Sequence, residues 1–509
     1  MTGTLSLFER ASHHGDEPAL IDLSGELSQC PSGVLSWREV AARTSKLANA
    51  LLELGVAVGS RLAVLGDNCG DTMLTYVGAA RAGVGVIMVN VHLTVDEIEY
   101  QLRDGEACAI WSSSAHVGTA IEAASRCGIP VLAEVGDPGW ASMVRTAGSI
   151  APPDDTPTTT DLIYTSGTTG TPKGVETPNQ PAANVADRIE VLGRHHLVGL
   201  GNHLVVGPLY HAGPHASVGL LLNGEQVIVA GHFDAGTVLD AIERYRVASS
   251  ITVPTHLLRL LALPETRRAA ADVSSVRRIS VTGSACPVPL KRAMIEWWGP
   301  VFREAYGGSE SGIISAIESE DWLAHPGSVG RVEAPFHALV IDEHGAPCPT
   351  GRDGLLYFID DTGRGIRYYH DAEKTAAAHL EPGTFTLGDV GHIDESDYLY
   401  ITGRITDMVI SGGVNIYPAE CERVLLRHPA VADVVLFGVP DDEMGERLVG
   451  MVTVRDDATT CDDLIAFCRG SIAGFKVPRH LQRVDEIPRT PMGKVDKRTL
   501  HAAYVDGQR

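Results

Sequence analysis

Between residues 36 and 340, helical periodicities alternate with short apolar strands, and this alternation constrains the fold more than any other feature of the chain. "WREVAARTSKLANALLELG" (37–55) sets leucines and alanines at helical spacing and stops at Gly55. The strand "RLAVLG", the helix "DTMLTYVGAARAG" and the strand "VGVIMVN" follow. The pattern returns at 227–264 as "VIVAG", "GTVLDAIERYR", "SSITVP" and "THLLRLLAL". Such alternation predicts parallel sheets with helix-covered faces. After about 336 the texture changes to short strands with polar turns, such as "GLLYFID" and "HIDESDYLYITGR", which predicts a small β-barrel or sheet. The last hundred residues form a separate small pattern: a helix at "PAECERVLLRHPAV", strands at "ADVVLFGVP" and "RLVGMVTVR", and a helix at "TCDDLIAFCRGSI". A length of 509 residues exceeds one compact core. The chain therefore divides into an N-terminal domain (1–404), with a β-rich subdomain at about 336–404, and a small α+β C-terminal domain (405–509). No low-complexity linker separates the two, so a tight hinge is expected.

Lysine and arginine number 41 against 64 acidic residues, a net charge of −23. A chain this acidic is not built to hold nucleic acid or an anionic membrane without specific contacts. Any anionic ligand must be gripped locally. Nine cysteines in no paired spacing argue against a disulfide framework or a metal knuckle. The start, "MTGTLSLFERASHHGDEPAL", lacks the basic and apolar regions of a signal peptide and reads as a short amphipathic helix. No apolar run approaches the ~18 residues of a membrane span, so the expected setting is cytoplasmic.

The stretch "LIYTSGTTGTPKGVE" (162–176) follows an apolar strand with a loop holding no side chain larger than threonine, then Lys173. Backbone N–H groups in such a loop form an anion cradle, hydroxyls add donors and the lysine adds a charge. It is not a Walker A loop, because Pro172 precedes Lys173 and Gly174 stands where a Mg²⁺-binding hydroxyl would be. By itself the loop also suits a plain surface turn.

Further stretches accompany it in order: "AYGGSESG" (305–312), "LGDVG" (387–391), "GRITDMVISGGVNIYPAECE" (403–422) and "PRTPMGKVDK" (488–497). Together with "YTSGTTGTPKGV" they resemble the core motifs of the adenylate-forming superfamily, which includes acyl-CoA synthetases, luciferase and the adenylation domains of peptide synthetases. The resemblance spans essentially the whole chain and lies closest to the acyl-CoA synthetases. It implies an α/β fold with a large N-terminal domain of two helix-covered sheets plus a small β-barrel, followed by a small mobile C-terminal lid. It also implies an ATP-dependent carboxylate–CoA ligase needing ATP, Mg²⁺ and coenzyme A. A carboxylic acid attacks the α-phosphate to give an acyl-adenylate and pyrophosphate, and the CoA thiol then displaces AMP. The alternative is transfer of the activated group to a carrier protein or an amine, or activation of another small oxyacid.

Carried onto this chain, the resemblance assigns Thr165, Ser166, Gly167, Thr168, Thr169, Gly170 and Lys173 to the phosphates, with Thr168 also catalytic and near the metal. Glu310 would hold Mg²⁺, flanked by Ser309, which replaces the usual threonine and keeps its hydroxyl. Gly283, Ser284 and Ala285 would supply backbone along adenine, with Ala305, Tyr306 and Gly307 on its other face. Asp389 would accept from the ribose hydroxyls and Arg404 would add a second contact. Lys494 would reach the substrate carboxylate and α-phosphate from the lid. Gly412 and Gly413 would line the thiol arm, Lys476 and Arg479 would meet the CoA phosphates, and Thr406 would stand at the hinge, where relatives carry Asp or Lys. His211 would gate the acyl site and act in catalysis, and His215, Phe233, Val281, Gly308 and Ile313 would wall the acyl pocket. Ala212 stands where amino-acid-activating relatives carry an Asp, which argues against an α-amino acid. The mostly apolar wall suits an alkyl, alicyclic, steroid-side-chain or aryl acid. The further expected partners are a second copy in a homodimer and an acetyltransferase acting on Lys494.

Overall fold

In the computed structural model, the structure describes residues 5–28, 30–133, 138–165, 172–176, 182–411, 414–441, 444–456, 458–472, 474–489, 495, 499–500 and 504. Two sheets carry the strand–helix alternation. The larger has nine strands in the order Arg331–Val332, Gly312–Glu318, Phe302–Gly308, Arg278–Val281, Ser249–Thr252, His203–Val205, Val227–Val229, Pro18–Asp22 and Val34–Ser36. The six central strands pair in parallel, and antiparallel partners close both edges. The second sheet runs Val131–Ala133, Ala107–Ser112, Arg61–Leu65, Gly85–Met88, Leu162–Thr165 and Lys173–Glu176, parallel except for the last pair.

Local chemistry sets the helices that cover these sheets. Helix Trp37–Glu53 opens on a capping box, with Ser36 Oγ accepting from the Glu39 amide and the Glu39 carboxylate accepting from the Ser36 amide at 2.8 Å. Val40, Leu47 and Leu51 recur on its buried face. It packs closely on helix Gly70–Arg81, because a Cβ on Gly78 would lie 2.8 Å from Leu47 Cβ. Parallel strands need such coverings, so their apolar side chains are buried on both faces.

The β-rich part is an antiparallel sheet in the order His379–Glu381, Thr384–Phe385, Gly354–Asp360, Asp389–Ile393 and Leu399–Arg404, with Phe336–Ile341 added to Gly354–Asp360. Leu356, Phe358, Phe385 and Leu399 form its core. A fourth sheet in the C-terminal part pairs Val431–Asp441 with Gly445–Val454, and His480–Arg483 joins the latter in parallel. Helices Pro418–Leu425 and Cys461–Arg469 bury Leu425, Leu464 and Cys468 against it. Tyr417 covers Gly403, where a Cβ would meet its ring at 3.2 Å.

Three histidines lie together under the large sheet. His195 and His196 have ring centroids 4.4 Å apart, His196 Nε2 is 2.7 Å from Ser280 Oγ, and His203 Nδ1 is 2.9 Å from Ser249 Oγ. Burial brings His195 down to about 4 and His196 and His203 to about 3. The folded protein keeps these rings neutral, while the unfolded chain takes up protons below about 6.5. The unfolded state binds more protons in that window, so stability falls as pH falls from 6.5 towards 3. For His203, which is 1% exposed, the loss between pH 6.5 and 5 is about 2 kcal/mol. Denaturant titrations across this range should show that fall; a flat profile would contradict neutral burial.

Candidate active site

Strand ends of the large sheet supply one wall of the site. Among the parallel strands, side chains beyond the C-terminal ends include His211 after His203–Val205, Phe233 after Val227–Val229, and Gly283 to Ala285 after Arg278–Val281. Ligands of open parallel sheets bind at that end. The start of helix Ala212–Leu222 sits tightly there, since a Cβ on Gly213 would contact Ile251 at 3.3 Å and Thr282 at 3.8 Å. His211 is the residue before this helix and stacks obliquely on Tyr210, with centroids 4.7 Å apart. Phe233 lies flat on His256 at 4.1 Å. Val281 is fully buried, and in the hairpin Phe302–Gly308/Gly312–Glu318 Gly308 faces Gly312 while Ile313 faces Gly307.

That hairpin is shaped by missing side chains. A Cβ on Gly307 would strike Gly312 O at 1.9 Å, and one on Gly308 would lie 2.8 Å from Glu310 Oε2. The bare Gly308 therefore makes room for the Glu310 carboxylate. Thr165 Oγ1, the last residue of strand Leu162–Thr165, donates to Glu310 Oε1 at 3.4 Å, which joins the two large sheets. Ser311 Oγ accepts from the Gly308 amide at 3.0 Å and fixes the turn.

Asp389 opens the strand Asp389–Ile393 and is 2% exposed. The Tyr306 hydroxyl donates to its Oδ2 at 2.7 Å and Arg404 Nε donates to its Oδ1 at 2.6 Å. Burial, and then the charge of Asp389, push the Tyr306 phenol well above its ordinary range, so it remains the donor. Asp389 and Arg404 face each other across the strand pair, which brings the two sequence-predicted ribose residues together. Both Asp389 oxygens already hold protein donors, so a ribose diol would use their remaining lone pairs.

Lys173 Nζ is 2.8 Å from Asp371 Oδ2. Asp371 raises the pKa of Lys173 and is itself lowered by it. The site thus joins three sheets through Thr165–Glu310, Tyr306–Asp389 and Lys173–Asp371. One carboxylate and one hydroxyl are hard oxygen donors of the kind Mg²⁺ takes, and among the described residues no three His, Cys, Asp or Glu gather to hold a metal alone. A magnesium ion here would draw its other ligands from phosphate and water, as Mg²⁺ commonly does.

The other expected residues lie at further places in the fold or outside the described residues. His215 is buried, its Nε2 3.5 Å from Asp161 Oδ2 and its ring edge-on to Tyr76 at 4.6 Å. Lys476 is ion-paired with Glu420 at 2.7 Å, while Arg479 is exposed, with its backbone amide donating to Leu448. Thr406 lies in the short turn Ile405–Asp407. Ser166, Gly167, Thr168, Thr169, Gly170, Gly412, Gly413 and Lys494 lie outside the described residues.

The structure also adds residues that the sequence reading missed. Asp161, at the foot of strand Leu162–Thr165, is gripped by Arg188 at 2.7 and 2.8 Å and takes the Val86 amide. Burial works to raise the Asp161 pKa, and Arg188, followed by His215, overrides it and holds the carboxyl below the usual range. An acid directly before a buried apolar strand was the available signal, since a buried charge needs a partner. Lys291 and Glu304 form a second buried pair at 2.8 Å, two residues before Tyr306.

Replacing Asp389 with Asn keeps the shape but sets an amide against Arg404. Calorimetric titration of Asp389→Asn with MgATP should show affinity weakened about tenfold or more. An unchanged affinity would remove Asp389 from the nucleotide site.

A family model described as AMP-binding enzyme matches residues 7–362, and one described as AMP-binding enzyme C-terminal domain matches residues 420–494. Feruloyl-CoA synthase of an Amycolatopsis species is 32% identical over 472 residues, covering 91% of this chain and 92% of its own. Indoleacetate–CoA ligase of Aromatoleum aromaticum is 32% identical over 480 residues, covering 92% of each. The structure of ATP-bound MatB from Rhodopseudomonas palustris superposes with a TM-score of 0.81 at 26% identity, covering 97% of each chain. With its two large sheets, its β-rich sheet and its C-terminal unit arranged as described, this chain belongs to the AMP-binding enzyme family.

Proposed function

We propose that the protein is an AMP-forming carboxylate–CoA ligase that activates an aryl or arylalkyl acid. The observation that carries this reading is the pairing of Asp389 with Tyr306 and Arg404 beside the Thr165–Glu310 contact, in a chain colinear with CoA ligases over most of its length. By their names, feruloyl-CoA synthase and indoleacetate–CoA ligase act on acids that carry an aromatic ring on a short chain, and the Phe233–His256 stack offers an aromatic surface at the acyl end.

In this reading Asp389 and Arg404 orient the ribose, while the backbone at Gly283, Ser284 and Ala285 and the ring of Tyr306 bracket adenine. Lys173 and the loop Ser166–Gly170 bind the β- and γ-phosphates, where charge gathers as pyrophosphate leaves. Fixed donors aimed at that charge lower the barrier because they need no rearrangement during reaction. Glu310 would hold Mg²⁺, which supplies further charge neutralisation on the phosphates. His211 guards the acyl entrance, and Lys494 places an ammonium between the substrate carboxylate and the α-phosphate. Residues 1–404 form the nucleotide-binding body and 405–509 the lid. Movement about Thr406 would exchange Lys494 for Gly412 and Gly413, whose bare backbone admits the thiol arm of CoA. Lys476 reaches a CoA phosphate only by releasing Glu420.

A panel of carboxylic acids with ATP and Mg²⁺, with and without CoA, read by mass spectrometry, tests the reading. Arylalkyl acids should give AMP, pyrophosphate and a CoA thioester. Products formed equally well without CoA would favour an amine or carrier-protein acceptor, and ADP would overturn the reading. Lys494→Ala should lower acid-dependent ATP–pyrophosphate exchange by about 10²-fold or more. It should leave thioester formation from preformed acyl-adenylate near wild type. Acetylation of Lys494 removes the same charge and should act alike.

A further inference from the structure

The connection between strands Gly354–Asp360 and His379–Glu381 leaves its own sheet and docks on the strand that closes the phosphate loop. The Tyr369 amide donates to Gly174 O at 2.8 Å, and Tyr368 bridges to Val175. His370, at φ +53°, then turns the chain. Asp371 Oδ1 accepts from the Lys374 amide at 2.9 Å and starts helix Ala372–Ala377, while Oδ2 faces Lys173 Nζ at 2.8 Å. One carboxylate thus shapes the turn and sets the place of Lys173.

This turn carries Lys374 over the ring of Tyr368, with Nζ 4.1 Å from its centroid. Lys374 is half-buried, and among the described residues no carboxylate is ion-paired with it. The charge of Glu310 reaches both side chains: after burial it is the foremost influence on Tyr368 and on Lys374. Among the described residues this half-buried ammonium, held on an aromatic face one turn from the Asp371–Lys173 pair, feels Glu310 and Asp371 but is ion-paired with neither. Burying such a charge is costly unless it is paired, and the site's own ligand would bring phosphate oxygens.

We propose that Lys374 is a second phosphate-binding ammonium, which contacts the pyrophosphate end of the nucleotide while Asp371 positions Lys173. This rests on the ligase reading above and adds to it a residue of the connection that leaves the β-rich sheet. Lys374 binds and releases pyrophosphate; it neither forms nor breaks a covalent bond.

Calorimetric titration of the full-length protein with inorganic pyrophosphate and Mg²⁺ tests this without knowledge of the acid. Lys374→Met should weaken pyrophosphate binding about tenfold, the scale of one charge-assisted contact. Lys374→Arg should stay within about twofold of wild type, since the charge is kept. Asp371→Asn, which can still cap the helix, should weaken pyrophosphate binding with an unchanged unfolding temperature. Steady-state kinetics should show the Lys374→Met effect in KM for ATP and in inhibition by pyrophosphate, with KM for CoA unmoved. Lys374→Met binding pyrophosphate as wild type does would overturn the assignment and leave the ligase reading standing. Equal losses in Lys374→Met and Lys374→Arg would also overturn it, by showing a structural effect. Wild-type protein that binds neither MgATP nor pyrophosphate would overturn both.

Discussion

A carboxylate buried between a phenol and a guanidinium, Asp389 with Tyr306 and Arg404, is the contact on which the rest of the site depends. Tyr306 belongs to the nine-stranded sheet, and Asp389 and Arg404 belong to adjacent strands of the β-rich sheet. Their hydrogen bonds set one sheet against the other. The two donors replace hydrogen bonds to water that the buried Asp389 carboxylate has lost. A connection from the same sheet, through Asp371, holds Lys173 at the edge of the second large sheet, and Thr165 ties that edge back to Glu310. The three joints connect the three sheets, and each joint carries a group suited to a different part of a nucleotide.

These groups are anchored on rigid elements. Asp161 fixes the foot of the strand that ends in Thr165, using Arg188 from the helix after the phosphate loop and His215 from the helix after His211. Removing one member of a buried charge pair costs about 3–5 kcal/mol in other proteins, because the survivor is left unpaired. The strand that ends in Thr165 is therefore joined at its foot to both helices. Gly307 and Gly308 work by the opposite means, since the absence of side chains lets the hairpin close and the Glu310 carboxylate fold back.

Much of this was legible in the sequence because its signals are local. Helical spacing in Trp37–Glu53, the short apolar runs at Arg61–Leu65 and Val227–Val229, and the change of texture near 336 each show in a window of a dozen residues. The ordered motifs named Thr165, Lys173, Tyr306, Glu310, Asp389 and Arg404, and the structure joins them in four contacts, with Asp371 as the unforeseen member. Long-range pairing was not legible. Pro18–Asp22 lies beside Val227–Val229, and no residue between them announces it. The Asp371–Lys173 and Asp161–Arg188 pairs escaped for the same reason, because an isolated charge in a sequence reads as a solvated one until its partner is brought up by the fold.

The central claim is that these three joints surround a nucleotide. A crystal structure of the protein with Mg²⁺ and a non-hydrolysable ATP analogue tests it most directly. The ribose is expected against Asp389, adenine between Tyr306 and residues 283–285, and the phosphates between Lys173 and Glu310. Nucleotide bound elsewhere, with the Tyr306–Asp389–Arg404 contacts intact and their surroundings empty, would contradict the account.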